Sequence, residues 1–298
     1  MAHKAGFVSI IGKPNVGKST LMNVLVGERL SIITPKAQTT RHRILGIVNE
    51  EEYQIVFSDT PGIIKPKYSL QESMMSFVNG SLTDADVLLF VTDINETHDE
   101  DDVLDKILDR DIPTIVLINK IDKALQEQVD EKIAYWQEKL NPVSIYAISA
   151  LHKHNVDGIM AHVLDLLPEH PPYYDKEDLT DRSERFFVSE IIREKIFLNY
   201  QKEIPYSTEV IVKSFKEEAL KNGKGAMVRI MAEIVVERDS QKNILIGTGG
   251  SMLKKVGTEA RLEVEKFLDT KVFLELFVKV IPDWRSKKNY LKSFGYDN

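Results

Sequence analysis

Short apolar runs alternate with amphipathic ones through the first half of the chain. FVSIIG (7–12), RILGIV (43–48), YQIVFS (53–58), VLLFVTD (87–93), TIVLIN (114–119) and SIYAIS (144–149) have the length and continuous hydrophobicity of buried strands. Between them KSTLMNVLVG (18–27), DDVLDKILD (101–109), QVDEKIAYWQEKL (128–140) and VDGIMAHVLDLL (156–167) carry apolar residues at helical spacing. Strands apolar along their whole length have both faces covered, so the alternation predicts an α/β domain with a mostly parallel sheet and helices on both faces. Ligands of such sheets bind beyond the carboxyl ends of the strands.

The pattern changes after residue 167. PEHPPYYDKEDLTDRS (168–183) is rich in proline, tyrosine and charge without apolar periodicity, and reads as an ordered, non-helical linker. Beyond it, RFFVSEIIREKIFLNY (185–200) predicts an amphipathic helix, and STEVIVKSF (207–215) and AMVRIMAEIVVE (226–237) predict strands. NILIGTGGSMLKKVGTEARLEVEKFL (243–268) predicts a turn running into a helix, and KVFLELFVKVI (271–281) a last strand. The expected division is a domain over 1–170, a linker over 171–184 and a smaller α+β domain over 185–298, of order α–β–β–α–β.

Composition narrows the picture. A content of 43% hydrophobic and 29% charged residues over 298 residues suits a soluble globular chain with a real core. With no cysteine, disulfides, a thiol nucleophile and a Cys-built zinc site are excluded. No apolar run approaches the roughly 18 residues of a membrane span, and the segment before the first strand is too short for a signal peptide, so a cytoplasmic protein is expected. The formal charge of −7 divides into −11 over residues 1–182 and +4 over 183–298, which predicts different partners for the two parts.

Chemistry concentrates at the strand ends. GKPNVGKS (12–19) fits GxxxxGK[ST]: the loop Gly12, Lys13, Pro14, Asn15, Val16, Gly17 can wrap phosphates in backbone N–H groups, and Lys18 can reach the β and γ oxygens. The Ser19 hydroxyl, with Thr20 beside it, suits Mg²⁺. In NKID (119–122), the Asp122 carboxylate can accept from N1–H and the 2-amino group of guanine, a donor pair that adenine lacks. Asn119 would tie this loop to the phosphate loop, and the Lys120 stem would lie on the purine. In SAL (Ser149, Ala150, Leu151), the Ala150 N–H could meet the guanine O6. Asp59 suits the water-mediated side of a Mg²⁺ site, and the Gly62 N–H the γ-phosphate. In KAQTTRHR (36–43) a threonine could complete the Mg²⁺ shell, Thr40 being preferred to Thr39.

The pieces GKPNVGKS, QTTRH, DTPG, NKID and SAL, in this order, resemble the translation-factor-related branch of P-loop GTPases, and QTTRH with DTPGI resembles the Era family of bacterial ribosome-assembly GTPases. The resemblance implies GTP and GDP binding and slow, Mg²⁺-dependent hydrolysis with Lys18, Thr40 and Gly62 at the reacting end. It also implies a hydrophobic residue after the glycine, here Ile63, where other GTPases place a water-orienting glutamine. Related GTPases with Asn at the place of Asn15 hold K⁺ there; an Asx-type turn beside Pro14 is an equal alternative.

The turn Ile246, Gly247, Thr248, Gly249, Gly250, followed by Lys254 and Lys255, resembles the GxxG element of a KH domain, which lets a nucleic-acid backbone approach closely. Many such loops have a basic residue between the glycines; here Thr248 and Gly249 stand there, leaving more charge to the two lysines. The Era resemblance implies the 3′ region of 16S rRNA and the 30S subunit as partners, assistance in 30S assembly, a monomer, and a weak peripheral contact with the inner membrane face besides a cytoplasmic location. Two rivals remain: a GTPase of RNA modification, which needs a further catalytic site, and an RNA-binding module with a regulatory nucleotide site, which the intact Lys18, Ser19, Asp59 and Asp122 oppose. His152 and His154 read as solvated histidines, DEDDVLD (99–105) as acids at a helix start, Trp136 and Trp284 as packing residues, and Lys65 and Lys67 as a solvated loop.

Overall fold

The apolar runs of the first half pair into one six-stranded sheet, in the order β2-β3-β1-β4-β5-β6. Its strands are β1 (Lys4–Ile11), β2 (Ile44–Asn49), β3 (Tyr53–Asp59), β4 (Val87–Asp93), β5 (Thr114–Asn119) and β6 (Ser144–Ala147). All neighbours are parallel except β2 against β3, which are joined by a short turn. The computed structural model describes residues 3–96, 111–219 and 226–296, so the acidic stretch 99–105 and the helix expected over 101–109 lie outside the described residues. Contacts divide the chain into two units, the part up to Lys67 with Gln71–Asp181 and the part from Arg182 with Tyr68–Leu70. Among the described residues no helix is long and apolar enough to cross a membrane.

The helices of this unit are α1 (Lys18–Val26), α2 (Ser69–Asp84), α3 (Gln126–Leu140) and α4 (Asp157–Leu166). In α3 the buried Val129 and Trp136 lie two turns apart, and Trp136 meets Phe90 of β4 edge-on with ring centroids 5.0 Å apart. The start of α3 is fixed by Gln128, whose Oε1 accepts from the Leu125 N–H at 2.9 Å. Sequence periodicity did not single out α2. Its Leu70, Met74, Val78 and Leu82 are buried on one helical face, but the intervening Ser, Asn and Gly are poor helix formers, so packing overrides propensity there.

Residues 171–181, a linker by composition, lie along the sheet edge. Gln54 is fully buried in β3; its Oε1 accepts from the Tyr173 and Tyr174 N–H groups at 2.7 and 3.0 Å, and its Nε2 donates to Tyr174 O at 2.9 Å. Tyr174 packs on Leu45, Ile47 and Val56. Farther on, the Ile47 N–H donates to Leu179 O at 2.9 Å, so the strap occupies part of the open edge of β2.

The second unit is built on β7 (Glu209–Ala219), β8 (Ala226–Val236) and β9 (Lys271–Val280), in that order, with β7–β8 antiparallel and β8–β9 parallel. Helix α5 (Glu184–Asn199) precedes the sheet, and the crossover from β8 to β9 contains α6 (Asp239–Ile246) and α7 (Ser251–Phe267). A short α8 (Lys288–Ser293) follows β9. With a four-residue helix at Ile204–Ser207 between α5 and β7, the order is α–α–β–β–α–α–β–α; the Ile204–Ser207 turn, α6 and α8 are additions to the sequence expectation, α6 because its apolar residues Ile244, Leu245 and Ile246 are consecutive and show no helical period. Val188, Ile192 and Ile196 of α5 and Val256, Ala260 and Val264 of α7 form one core with Val228, Ile230, Ala232 and Ile234 of β8. Trp284 is fully buried, its Nε1 donating to Ser207 O at 3.0 Å.

Replacing Gln54 with Ala removes the acceptor of two part-buried N–H groups, an expected loss of about 1–3 kcal/mol for the two bonds together. Hydrogen–deuterium exchange of the full chain reads it: the Tyr173 and Tyr174 amides should lose protection while Phe57 and Val91 keep theirs.

Candidate functional site

In the first sheet Ile10 lies opposite Asp59 and Asp93 opposite Asn119, so the parallel strands end at nearly one level. The loops leaving these ends surround a cavity of about 430 Å³, lined among others by Asn15, Lys18, Ser19, Thr40, Asn119 and Asp122. Pro14, Gly17, Thr20, Gly62, Lys120, Ser149 and Leu151 also line it. Gly17 has φ 102°, and a Cβ there would lie 2.2 Å from Asn119 Nδ2, so both backbone conformation and space require glycine.

Lys18 opens α1 and is buried; its Nζ donates to Gly12 O at 3.1 Å and Lys13 O at 2.8 Å. Burial pushes its pKa down to about 8, against the opposing pull of Asp59 and Glu96. An anion entering the loop would relieve that penalty. The Lys13 side chain turns toward Glu96, 3.4 Å away, and contributes to the loop through its carbonyl.

Beside Lys18 an all-oxygen cluster forms. The Ser19 hydroxyl donates to Asp59 Oδ2 at 2.7 Å and lies 2.9 Å from Thr40 Oγ1. Because the one Ser19 proton goes to Asp59, Thr40 donates to Ser19. Ser31 gives Asp59 Oδ2 a second bond at 2.7 Å, while Asp59 Oδ1 is buried with no donor in bonding geometry among the described residues. Burial raises the Asp59 pKa, opposed by Lys18, the two serine bonds and, more weakly, the neighbouring Thr60 N–H. Two hydroxyls beside a buried carboxylate with an unmet oxygen suit a hard divalent cation. Thr39 instead bonds Thr34 Oγ1 at 2.6 Å and Lys36 O at 2.8 Å, so of the two threonines Thr40 reaches the cluster.

The DTPG turn closes this end. A Cβ on Gly62 would lie 2.6 Å from Pro14, and the Ile63 N–H donates to Gly12 O at 3.1 Å. The Ile63 side chain is buried and lines no part of the cavity.

At the other end Asn119, 2% exposed, donates from Nδ2 to Val16 O at 2.8 Å and accepts at Oδ1 from the Lys120 and Ala150 N–H groups at 2.8 and 2.9 Å. The Ala150 N–H expected to meet a purine O6 donates instead to Asn119 in this structure, and Ala150 is not among the residues lining the cavity. Ser149 donates to Asp122 Oδ1 at 2.6 Å, and this bond foremost holds the Asp122 pKa below the usual carboxylate value. Asp122 stays an ionised acceptor. His152 is mostly exposed, 4.0 Å from Asp122 Oδ2.

Sequence reasoning assigned no role to Asp93 and Glu96. Asp93 lies 2.6 Å from Lys120 Nζ, which also donates to Asn15 O at 2.6 Å. Glu96 accepts from Thr92 Oγ1 at 3.0 Å and the Asp93 N–H at 3.2 Å. Two acids at the end of VLLFVTD thus brace both halves of the phosphate loop; their place at the carboxyl end of a parallel strand was the available signal.

In the second unit the GTGG turn links α6 to α7. Gly250, φ 80°, caps α7, and a Cβ there would meet nothing within 4 Å. Thr248, Gly249, Ser251, Lys254 and Lys255 are exposed, and Ile246 and Gly247 half-buried. A solvent-facing helix N-terminus with nearby lysines can receive a phosphate. Lys255 is 4.0 Å from Glu259, which leaves Lys254 the less restrained charge.

Comparison with known proteins agrees. Residues 7–120 match the model of the 50S ribosome-binding GTPase family and residues 203–285 that of the KH domain. GTPase Era of Geotalea daltonii is 45% identical over 295 residues, covering 98% of this chain and 98% of its own. The chain belongs to the Era family of GTPases. Chloroplastic GTPase ERA1 of Zea mays is 44% identical over 99% of this chain and 71% of its own length. An Era crystallised with MgGDPNP and nucleotides 1506–1542 of 16S ribosomal RNA superposes with a TM-score of 0.93 at 41% identity, covering 99% of this chain and 100% of that one. A variant of Aquifex aeolicus Era bound to GDP·AlF₄⁻ gives 0.92 at 42% identity, with coverage of 99% and 100%. As an Era-family protein, the chain joins a P-loop GTPase domain to a KH domain, and its enzymatic reaction is GTP hydrolysis.

Asp122→Asn replaces one carboxylate acceptor with an amide donor, which suits xanthine rather than guanine. Nucleotide titration should show GTP affinity falling by about 100-fold or more, on the scale of a lost pair of charged hydrogen bonds, with xanthosine triphosphate gaining.

Proposed function

We propose that this Era-family GTPase is a Mg²⁺-dependent switch whose KH domain binds the 3′ region of 16S rRNA and which assists assembly of the 30S subunit. The observation that carries the reading is the presence in one chain of both devices: the Ser19–Thr40–Asp59 cluster beside Lys18, and the open GTGG turn. The full-length likeness to an Era crystallised with a GTP analogue and 16S RNA supports the pairing. The matched family model is described by 50S binding; 16S RNA belongs to the small subunit, and the reading follows the structural relative because it spans both domains.

In this reading Gly12 to Thr20 cradle the phosphates, Lys18 meets the β and γ oxygens, and Asn119, Lys120, Asp122 and Ser149 to Leu151 hold guanine. Mg²⁺, held by Ser19 and Thr40 with Asp59 behind them, would neutralise charge on the β and γ phosphates. The Gly62 N–H, at the cavity wall, would meet the γ-phosphate. With Ile63 buried, the attacking water is oriented by backbone groups of the loop before Thr40 and the turn before Gly62.

Charge growing between the β and γ phosphates needs a further cation. The Asn15 side chain stands at the cavity wall, its Nδ2 donating to Pro35 O at 3.3 Å, so that both an amide oxygen and a backbone carbonyl oxygen belong to this corner once the amide turns. Neutral oxygens of this kind suit K⁺. Hydrolysis should run faster in KCl than in NaCl at equal ionic strength, and Asn15→Ala should abolish the difference while GDP binding persists; equal rates in the two salts would refute the K⁺ role.

In this reading the protein works in the cytoplasm as a monomer. A weak peripheral contact with the inner membrane face is checked by sedimentation with anionic vesicles.

The central test separates the two devices. Gly250→Asp sets a carboxylate where a phosphate should pass, and like-charge repulsion should lower affinity for 16S RNA by about tenfold or more. GTP hydrolysis should stay within about twofold, since Gly250 contributes nothing to the nucleotide cavity. Lys18→Ala should abolish hydrolysis and spare RNA binding, with an affinity that falls as salt rises. Filter binding and phosphate release on both variants decide the matter; unchanged RNA affinity in Gly250→Asp would make the turn a mere turn.

A further inference from the structure

The two faces of the second sheet differ. Val228, Ile230, Ala232 and Ile234 point inward to the core under α5 and α7. On the opposite face Arg229 pairs with Phe273, Met231 with Glu275, and Glu233 with Phe277. Met231, Phe273 and Phe277 keep 37%, 42% and 51% of their surface exposed. Two half-exposed phenylalanines on one strand, about 13 Å apart by strand rise, Phe273 with the Arg229 guanidinium beside its ring and Phe277 without one among the described residues, have no part in the core.

We propose that this face is a second RNA platform, on which Phe273 and Phe277 stack nucleobases of the same RNA whose backbone passes the GTGG turn. The proposal rests on the RNA-binding reading above and extends it to a surface outside the GxxG turn.

Length is the first reason. A GxxG turn clamps about four nucleotides, whereas the fragment held by the Era of known structure, nucleotides 1506–1542, contains 37. Most of such an RNA must lie elsewhere.

Continuity is the second. β9 is an edge strand shared by both surfaces: a Cβ on Gly257 of α7 would lie 3.4 Å from Leu276 on its inner side, while the next residue, Phe277, faces out.

Chemistry is the third. The Arg229 guanidinium lies 4.5 Å from the Phe273 ring centroid, and Lys279 stands two residues from Phe277 on the same face. Aromatic and guanidinium planes stack on bases while neighbouring cations meet phosphates. The carboxylates here are already engaged: Glu218 and Glu275 share the one Arg229 guanidinium, at 3.3 and 3.5 Å, and Glu233 lies 3.4 Å from Lys213 and 3.9 Å from Lys279. They present ion pairs to an approaching phosphate rather than bare negative charge. These features favour RNA over a protein partner.

The test compares RNA lengths on the full chain. Binding is measured by fluorescence anisotropy for the 37-nucleotide RNA and for the hexanucleotide, from a tiled set across it, whose affinity Gly250→Asp reduces most. Phe273→Ala, Phe277→Ala and Phe277→Leu should each weaken the long RNA by about 5- to 50-fold, the range for one lost base stack. The hexanucleotide should change by less than about twofold, being outside their reach. Phe277→Trp should bind the long RNA like the parent, because a ring suffices. Long-RNA affinity unchanged in the alanine and leucine variants overturns the platform, and so does an equal loss for both RNAs. Unchanged RNA affinity with lost binding to 30S particles would assign the face to a protein and overturn it equally. If the parent itself fails to bind the long RNA, or no hexanucleotide responds to Gly250→Asp, the RNA-binding reading falls first.

Discussion

The side chain of Asn119 is the knot on which the nucleotide cavity depends. One buried amide donates to Val16 O in the phosphate loop and accepts from the N–H groups of Lys120 and Ala150. Three loops from three strand ends are thereby fixed to a planar group with no freedom to slide. The same amide nitrogen crowds Gly17, so the loop that wraps the phosphates can close only because that residue lacks a Cβ. A parallel sheet supplies the level at which strand ends meet, and Asn119 converts that level into one rigid site.

Electrostatic tension is held within this frame. Lys18 is buried, its pKa lowered to about 8, and Asp59 is buried with its pKa raised. Each charged form is disfavoured by desolvation and supported by the other, the usual state of a buried pair. Phosphate would neutralise Lys18, and a cation would neutralise Asp59. Ligand binding thus offsets a cost that folding leaves in place, and this couples stability of the site to its occupancy. Asp93 and Glu96 keep the arrangement aligned through Lys120 and Lys13, outside the cavity itself.

How much of this was legible from the sequence depends on the kind of interaction. GKPNVGKS, NKID and DTPG are visible because each needs particular side chains, or their absence, at fixed local spacing. The strands were visible because burial on both faces leaves continuous apolar runs. Helix α2 escaped because its packing face is interrupted by residues of low helix propensity, and α6 because three adjacent apolar residues have no period. The strap over 171–181 read as a linker because a buried glutamine and backbone groups hold it, and hydrogen bonds between distant segments leave no periodic trace. The second aromatic face escaped for a different reason: alternation along KVFLELFVKV marks a strand with two apolar faces, and only the sheet order shows that one of them is uncovered.

The two phosphate-binding turns of this chain use glycine for opposite reasons. At Gly17 a Cβ would strike Asn119, so the fold itself forbids a side chain. At Gly250 a Cβ would meet nothing within 4 Å, so the fold leaves room that only a partner could fill. Its left-handed conformation, φ 80°, makes any other residue strained by about 1 kcal/mol, a cost that a domain with the core of α5, α7 and β8 can carry. Substitution at Gly17 therefore disturbs the architecture, whereas substitution at Gly250 leaves the domain standing and obstructs what approaches it. The first glycine belongs to the protein's own packing, the second to a surface whose complement lies outside the chain.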